Sequence, residues 1–209
     1  MFIIKNFIRL IVLIILLNSI VFAKEDRCVS YVQEVRRDHF AVFGVDYPYW
    51  YGVAQLKQES QCRDILSKDG IGSQGVSQIT YKVWKGFLSK KGISNLSSTH
   101  NQILSQAYIM QSALSSIKYK HLWVQYQLYN GGGLVNKDVK NAQLQLRKNN
   151  VTHDEVFPFC KRGNTIYKSK GVVVQTISNC KINYDYSTNI YNYAKPYKIQ
   201  SDSPKYLYW

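Results

Sequence analysis

The chain has few acidic side chains. Only 13 aspartates and glutamates stand against 27 lysines and arginines, which gives a formal net charge of +14 over 209 residues. This imbalance points to an anionic partner, and nucleic acid, membrane surfaces and bacterial wall polymers all qualify. Charge alone does not choose among them. The lack of a helix-like lysine and arginine cluster, however, counts against a nucleic-acid binder.

The chain also lacks the spacing of a metal site. It has four cysteines, and no two of them form a close Cys-x-x-Cys pair. The histidines are scattered, at His39, His100, His121 and His153. The usual ligand spacing of a zinc site is therefore missing, and we expect neither a metal nor another cofactor.

Long apolar runs are missing except near the start of the chain. The run Leu10–Leu17 follows Lys5 and Arg9 and precedes Val21-Phe22-Ala23, which is the pattern of a secretory leader. This run is shorter than the apolar segment that a membrane-spanning helix requires, although an uncleaved anchor beginning near Phe7 is an alternative. We expect cleavage after Ala23, so that the chain is exported to the periplasm or cell wall and has no membrane partner afterwards. The remaining chain has 25 basic and 13 acidic residues, a net charge of +12.

Export changes how the cysteines are interpreted, because an oxidising compartment favours disulfides over thiolate chemistry. Four cysteines allow three pairings, and the sequence does not select among them. We favour Cys160 with Cys180, which would close a hairpin-like loop. We also favour Cys28 with Cys62, which would tie an N-terminal helix to the residues just after Glu59.

Apolar spacing predicts a mainly helical chain, with helices near residues 28–43, 49–58, 79–88, 101–117 and 136–148. Residues 165–177 have the composition of strands and predict a small hairpin. Residues 183–209 are rich in tyrosine and show no clean period. They predict either a tail that is poorly ordered or wrapped on the domain, or an aromatic and basic surface that stacks on sugars or docks to a partner.

One carboxylate, Glu59, stands at the end of an apolar helical segment and before a loop rich in serine and glycine. Unpaired carbonyl groups at a helix C-terminus and apolar neighbours both favour the protonated acid. A raised pKa is what a glycosidic general acid needs at neutral pH. A solvent-facing glutamate without a catalytic role is the alternative.

Four short motifs occur in order over the next part of the chain. They are Glu59-Ser60 with Ser67, then Gly72-Ser73-Gln74-Gly75-Val76-Ser77-Gln78, then Asn101 with Ser105, Tyr108 and Ile109, and last Leu128-Tyr129-Asn130-Gly131. In order and spacing they resemble the signature of soluble lytic transglycosylases and the related goose-type lysozymes, which cleave the glycan strands of peptidoglycan. The second motif departs from the family pattern at Ser73, Val76 and Ser77.

The resemblance implies an α+β lysozyme-like catalytic domain at residues 24–150, followed by an extension at residues 151–209 that carries the stapled hairpin. It implies Glu59 as the catalytic residue and peptidoglycan glycan strands as the partner. Small exported transglycosylases of this kind also resemble those that open the wall for secretion or conjugation systems. The implied substrate-binding residues are Ser60, Ser67, Gln78, Tyr108, Tyr129 and Asn130.

A second catalytic carboxylate is not evident. Asp64 and Asp69 lie near Glu59 in the sequence, but neither occupies a motif position. A glycoside hydrolase uses two carboxylates, whereas a lytic transglycosylase uses one glutamate as acid and base and leaves a 1,6-anhydromuramoyl end. We therefore expect non-hydrolytic cleavage. The alternatives are a lysozyme-type hydrolase, or an inactive component that binds the wall or belongs to a secretion machine.

Overall fold

The computed structural model describes residues 26–67, 70–116, 121–169, 172–199 and Trp209, and the leader predicted at residues 1–23 lies outside this part of the chain. Within the described residues the fold is mainly helical, with one small antiparallel sheet. No described helix is long and apolar enough to cross a membrane. The prediction of a mainly α chain with a small hairpin is confirmed at this level.

The helical elements follow the predicted periodicity with ends shifted by a few residues. A 3-10 turn at Arg27–Tyr31 leads into the first helices, which are α1 (Val32–Phe43), α2 (Trp50–Ser60), α3 (Tyr81–Lys90), α4 (Thr99–Ser116), α5 (Leu122–Gly131) and α6 (Leu134–Leu146). The remaining elements are α7 (His153–Val156), a 3-10 turn (Phe157–Phe159), β1 (Asn164–Ser169), β2 (Val172–Ser178), α8 (Asn179–Ala194) and a 3-10 turn (Lys195–Tyr197).

Helix α2 lies at the centre of the main core and packs against α1 and α8. Its residues 52–56 are all fully buried, so the helix is covered on nearly every side. A helix of this kind needs small and apolar residues all round, which the run Gly52-Val53-Ala54 provides. Gly52 is required because a Cβ there would lie 2.2 Å from the ring of His39 on α1. The close packing fixes the position of Glu59 in the last turn of α2.

Helix α8 occupies a stretch in which the sequence showed no period. Its buried face consists of Asn183, Tyr186 with Ser187, Ile190 and Ala194, which is a helical spacing made largely of polar and small residues. A search for apolar periodicity does not detect such a face. The helix packs against α2 and α5, so side chains from both sides of residue 150 share the main core. The domain boundary at residue 150 stays a prediction.

Two disulfides join the pairs that the sequence analysis favoured. Cys28 is bonded to Cys62, and Cys160 is bonded to Cys180. The second disulfide closes the base of the hairpin, in which β1 and β2 pair antiparallel. Beside it, the buried Arg162 guanidinium binds the buried Asp138 carboxylate of α6 at 2.6 Å. Together these bonds attach the hairpin to the helical body.

Candidate active site

Glu59 lines a cavity of about 510 Å³, which we call the Glu59 cavity. Helix α2 ends at Ser60, one residue after Glu59, because Gln61 adopts the left-handed conformation with φ 54°. The chain then continues into a loop whose described residues, 61–67 and 70–80, contribute one wall of the cavity. The described residues that line the cavity are Glu59, Ser67, Ile71, Ser73, Gln78, Ile79, Thr80, Trp84, Ile109, Tyr129 and Asn130.

The Glu59 carboxyl can hold a proton near neutral pH. Burial raises the pKa of Glu59 to about 7, because the charged form loses its contact with water. A hydrogen bond from Tyr186 opposes this rise but does not cancel it. Both protonation states of Glu59 are therefore accessible near neutral pH, which is the property that a group acting as acid and then as base requires.

A chain of buried hydrogen bonds orients the Glu59 side chain. The Tyr186 hydroxyl of α8 donates to Glu59 Oε1 at 2.5 Å, and Gln55 Nε2 donates to the Tyr186 oxygen at 3.0 Å. Gln106 Nε2 of α4 in turn donates to Gln55 Oε1 at 2.6 Å. Since Gln55 donates to Tyr186, the single hydroxyl proton of Tyr186 is free to point at Glu59. In each of these three hydrogen bonds the donor lies on the side away from Glu59, so the series is directed toward the Glu59 carboxyl.

The loop wall of the cavity is fixed to α2 and α4 by side chains that face inward. Ser60 is buried, and its hydroxyl donates to the Val76 carbonyl at 2.8 Å. Gln78 Nε2 donates to the carbonyls of Ile65 and Gly75, at 2.9 and 2.8 Å. Gly75 has φ +81°, and a Cβ there would lie 2.2 Å from the Gln102 side chain, so only glycine fits. The described part of the loop is therefore attached to α2 and α4 by these contacts.

A second part of the cavity lining comes from the C-terminal end of α5. Tyr129 donates its hydroxyl proton to the Ser77 carbonyl at 3.0 Å, and burial holds the pKa of Tyr129 well above its usual range. Asn130 Nδ2 donates to Asn183 Oδ1 of α8 at 2.6 Å. The glycine at position 131 allows the Asn183 side chain to lie this close to α5, because a Cβ there would lie 2.1 Å from the Asn183 amide.

The structure brings together most of the residues that the sequence analysis selected. Glu59, Ser67, Gln78, Tyr129 and Asn130 all line the Glu59 cavity. Two others lie elsewhere. Ser60 is 3 % exposed and braces the loop, and Tyr108 packs against the small core beneath α3 with the Lys91 ammonium 5.0 Å from its ring centre.

Several residues of this site were not predicted from the sequence. Tyr186 is the most important of them, because it contacts Glu59 directly from 127 residues away in the sequence. The signal that could have found it is the helical spacing of polar residues on the buried face of α8. Trp84 and Thr80 also line the cavity, and they lie on a segment that was predicted only as a helix; Ile109 lines it too and belongs to the third motif, although no site role was assigned to it.

Glu59 is the only acid among the described residues that line its cavity. Asp64 lies outside the lining and accepts a hydrogen bond from Gln102 Nε2 at 3.1 Å. Asp69, the other neighbouring acid, lies outside the described residues. Among the described residues, the lining of this cavity therefore offers a single carboxyl, that of Glu59.

A different cluster offers metal-ligand atoms away from this cavity. Atoms of Glu34, Asp38 and His100 lie within 4.8 Å of one another. The Arg37 guanidinium occupies this cluster, since its Nε donates to Asp38 Oδ1 at 2.8 Å and its Nη2 lies 2.9 Å from His100 Nδ1. The arginine already supplies the positive charge that the two carboxylates require.

Comparison with protein-family models, with curated proteins and with solved structures found no match to this chain.

Proposed function

We propose that the chain is an exported, lysozyme-like lytic transglycosylase that cleaves the glycan strands of peptidoglycan between N-acetylmuramic acid and N-acetylglucosamine. The observation that carries this proposal is the single carboxyl of Glu59, with a pKa raised to about 7, facing a cavity whose other described polar groups are neutral. Hydroxyl and amide groups such as those of Thr80 and Asn130 suit sugar hydroxyls and acetamides.

In the first step Glu59 acts as the general acid. When the carboxyl is protonated, Tyr186 still donates to Oε1, so the proton resides on Oε2. That proton passes to the glycosidic oxygen as the bond from this oxygen to C1 of the muramic acid residue breaks. The carbonyl oxygen of the sugar's own acetamido group closes on C1 and takes the place of a protein nucleophile.

In the second step the Glu59 carboxylate acts as the base. It takes the proton of the C6 hydroxyl of the same sugar, and O6 attacks C1 while the bond from C1 to the acetamido oxygen breaks. The products are a 1,6-anhydromuramoyl end and a reprotonated Glu59, so the acid is regenerated without water. Only one carboxyl is needed, in agreement with the composition of the described cavity lining.

Replacement of Tyr186 by Phe is expected to shift the pH dependence of cleavage. The Tyr186 hydrogen bond favours the Glu59 carboxylate, so its loss raises the pKa of Glu59 further. We expect the high-pH limb of the rate profile to move upward by about one pH unit. Tyr191→Phe is the matched control, because Tyr191 lies on the exposed side of the same helix. An unshifted limb in Tyr186→Phe would contradict the assigned role.

The first test of the proposal is release of soluble muropeptides from purified peptidoglycan by the protein with both disulfides formed. Release supports wall cleavage, and its absence would favour an inactive component that binds the wall or a secretion machine. The excess of basic residues agrees with an anionic wall polymer as the partner. We place the protein in the periplasm or cell wall, with a secretion or conjugation complex as the further partner.

A further inference from the structure

We propose that a second cavity, on another side of α2, binds the free carboxylates of peptidoglycan stem peptides through Arg27 and Arg63. We call it the arginine cavity. The identity of the ligand rests on the function proposed above, whereas the preference for a carboxylate rests on the cavity itself. The arginine cavity measures about 710 Å³, and its described lining consists of Asp26, Arg27, Cys28, Lys57, Gln58, Gln61, Arg63, Asn189 and Tyr193.

The two arginines are held at this cavity by a disulfide. Arg27 directly precedes Cys28, and Arg63 directly follows Cys62. The Cys28–Cys62 bond brings the two backbones to a Cα–Cα distance of 5.2 Å. Arg63 is further fixed by its Nε, which donates to the Ser60 carbonyl at 3.0 Å. A guanidinium presents its donors in a planar fork that fits a carboxylate, so two arginines whose backbones are tied together are suited to carboxylate binding.

The one acidic residue in the described lining does not neutralise these arginines. Asp26 is engaged elsewhere, because its Oδ2 accepts from Lys57 Nζ at 2.7 Å and from the Tyr197 hydroxyl at 2.6 Å. Its Oδ1 accepts from the Cys28 amide at 3.1 Å. Among the described residues, neither Arg27 nor Arg63 forms an ion pair with an acidic side chain. The cavity therefore keeps an excess of positive charge.

The rest of the lining suits a peptide. Gln58, Gln61 and Asn189 carry amides that can donate to and accept from peptide groups. Tyr193 adds an aromatic face, which the Lys57 ammonium approaches to 5.4 Å from the ring centre. A carboxylate-bearing peptide matches this combination of arginines, amides and an aromatic ring better than a bare sugar strand.

The arginine cavity begins close to the catalytic residue. Gln58 lines it and is followed directly by Glu59. On α8, Asn189 lines it and lies three residues beyond Tyr186, a rise of about 4.5 Å along the helix. A stem peptide is attached to the muramic acid residue at the cleaved bond, and each extended residue adds about 3.4 Å of reach. Binding at the arginines therefore requires the stem peptide to extend from the Glu59 cavity around α2.

The test compares two substrates with the same glycan. One is peptidoglycan that carries its stem peptides, and the other is the same material after an amidase has removed them. We expect Arg27→Ala/Arg63→Ala to lower the ratio of the rate on peptide-bearing strands to the rate on denuded strands by about tenfold. Lys137→Ala/Lys140→Ala removes the same charge from the exposed face of α6 and should leave this ratio unchanged. An unchanged ratio in the arginine variant would overturn the inference.

A binding measurement separates this inference from the proposed function. Free stem tetrapeptide is titrated into the wild-type protein and the arginine variant by calorimetry, with the fully amidated tetrapeptide as the control ligand. Binding of the free peptide alone, weakened about tenfold in the variant, supports the site even if no glycan is cleaved. No binding, or equal binding of both peptides, would overturn it whether or not Glu59 proves catalytic.

Discussion

Glu59→Gln is expected to lower the rate of muropeptide release by about a thousandfold. Glutamine keeps the size of the side chain and accepts the Tyr186 hydrogen bond through its Oε1, but it has no proton to give to the glycosidic oxygen and no charge to receive one. The fold should survive, because the substitution removes a buried ionisable group. Initial rates on purified peptidoglycan measure the effect.

Glu34→Gln is the matched control for this substitution. Glu34 is also a half-buried glutamate, but it lies on α1 outside the Glu59 cavity. It should retain the wild-type rate. Equal rates for Glu59→Gln and the wild-type protein would show that another group performs the chemistry.

The contribution of Glu59 to the free energy of unfolding is expected to fall as the pH rises from about 4.5 to about 7, the ordinary and the raised pKa of this carboxyl. Between these values the folded protein holds the Glu59 proton while the unfolded chain releases it, so this group favours unfolding more strongly as the pH rises. The stability that the neutral Glu59 carboxyl contributes is fully present below about pH 4.5 and is lost above about pH 7. The shift corresponds to about 3 kcal/mol.

Urea unfolding of the wild-type protein and Glu59→Gln across this pH range isolates the effect. The difference between the two proteins should favour Glu59→Gln increasingly up to about pH 7 and then stay constant. A difference that does not vary with pH would mean that burial does not raise the pKa of Glu59.

Much of the helical body could be predicted from the sequence, because its helices bury apolar faces. Helix α2 is the clearest case, since Trp50, Val53 and Ala54 fall on one side and are buried as expected. The position of Glu59 in its last turn follows from the same spacing. The disulfide pairs could also be predicted, because export and loop closure favoured the pairs that the structure contains.

The contacts that define the site could not be predicted in the same way. Tyr186 meets Glu59 only because α8 folds back onto α2, and a single sequence carries no local signal for a contact across 127 residues. The face of α8 that makes this contact is built from tyrosine, asparagine and serine, which apolar periodicity does not detect. Ser60 shows that a motif position does not reveal a structural contact, since substrate binding was predicted there and the structure shows a buried hydroxyl that donates to the Val76 carbonyl.

The most direct test of the account is the chemistry of the new chain end. Peptidoglycan is digested by the wild-type protein in water enriched in a heavy oxygen isotope, and the masses of the products are measured by mass spectrometry. We predict 1,6-anhydromuramoyl ends without the label, because O6 of the sugar rather than water attacks C1. Reducing ends that carry the label would contradict the central claim, since they would mean that a water molecule is activated and that the protein is a lysozyme-type hydrolase.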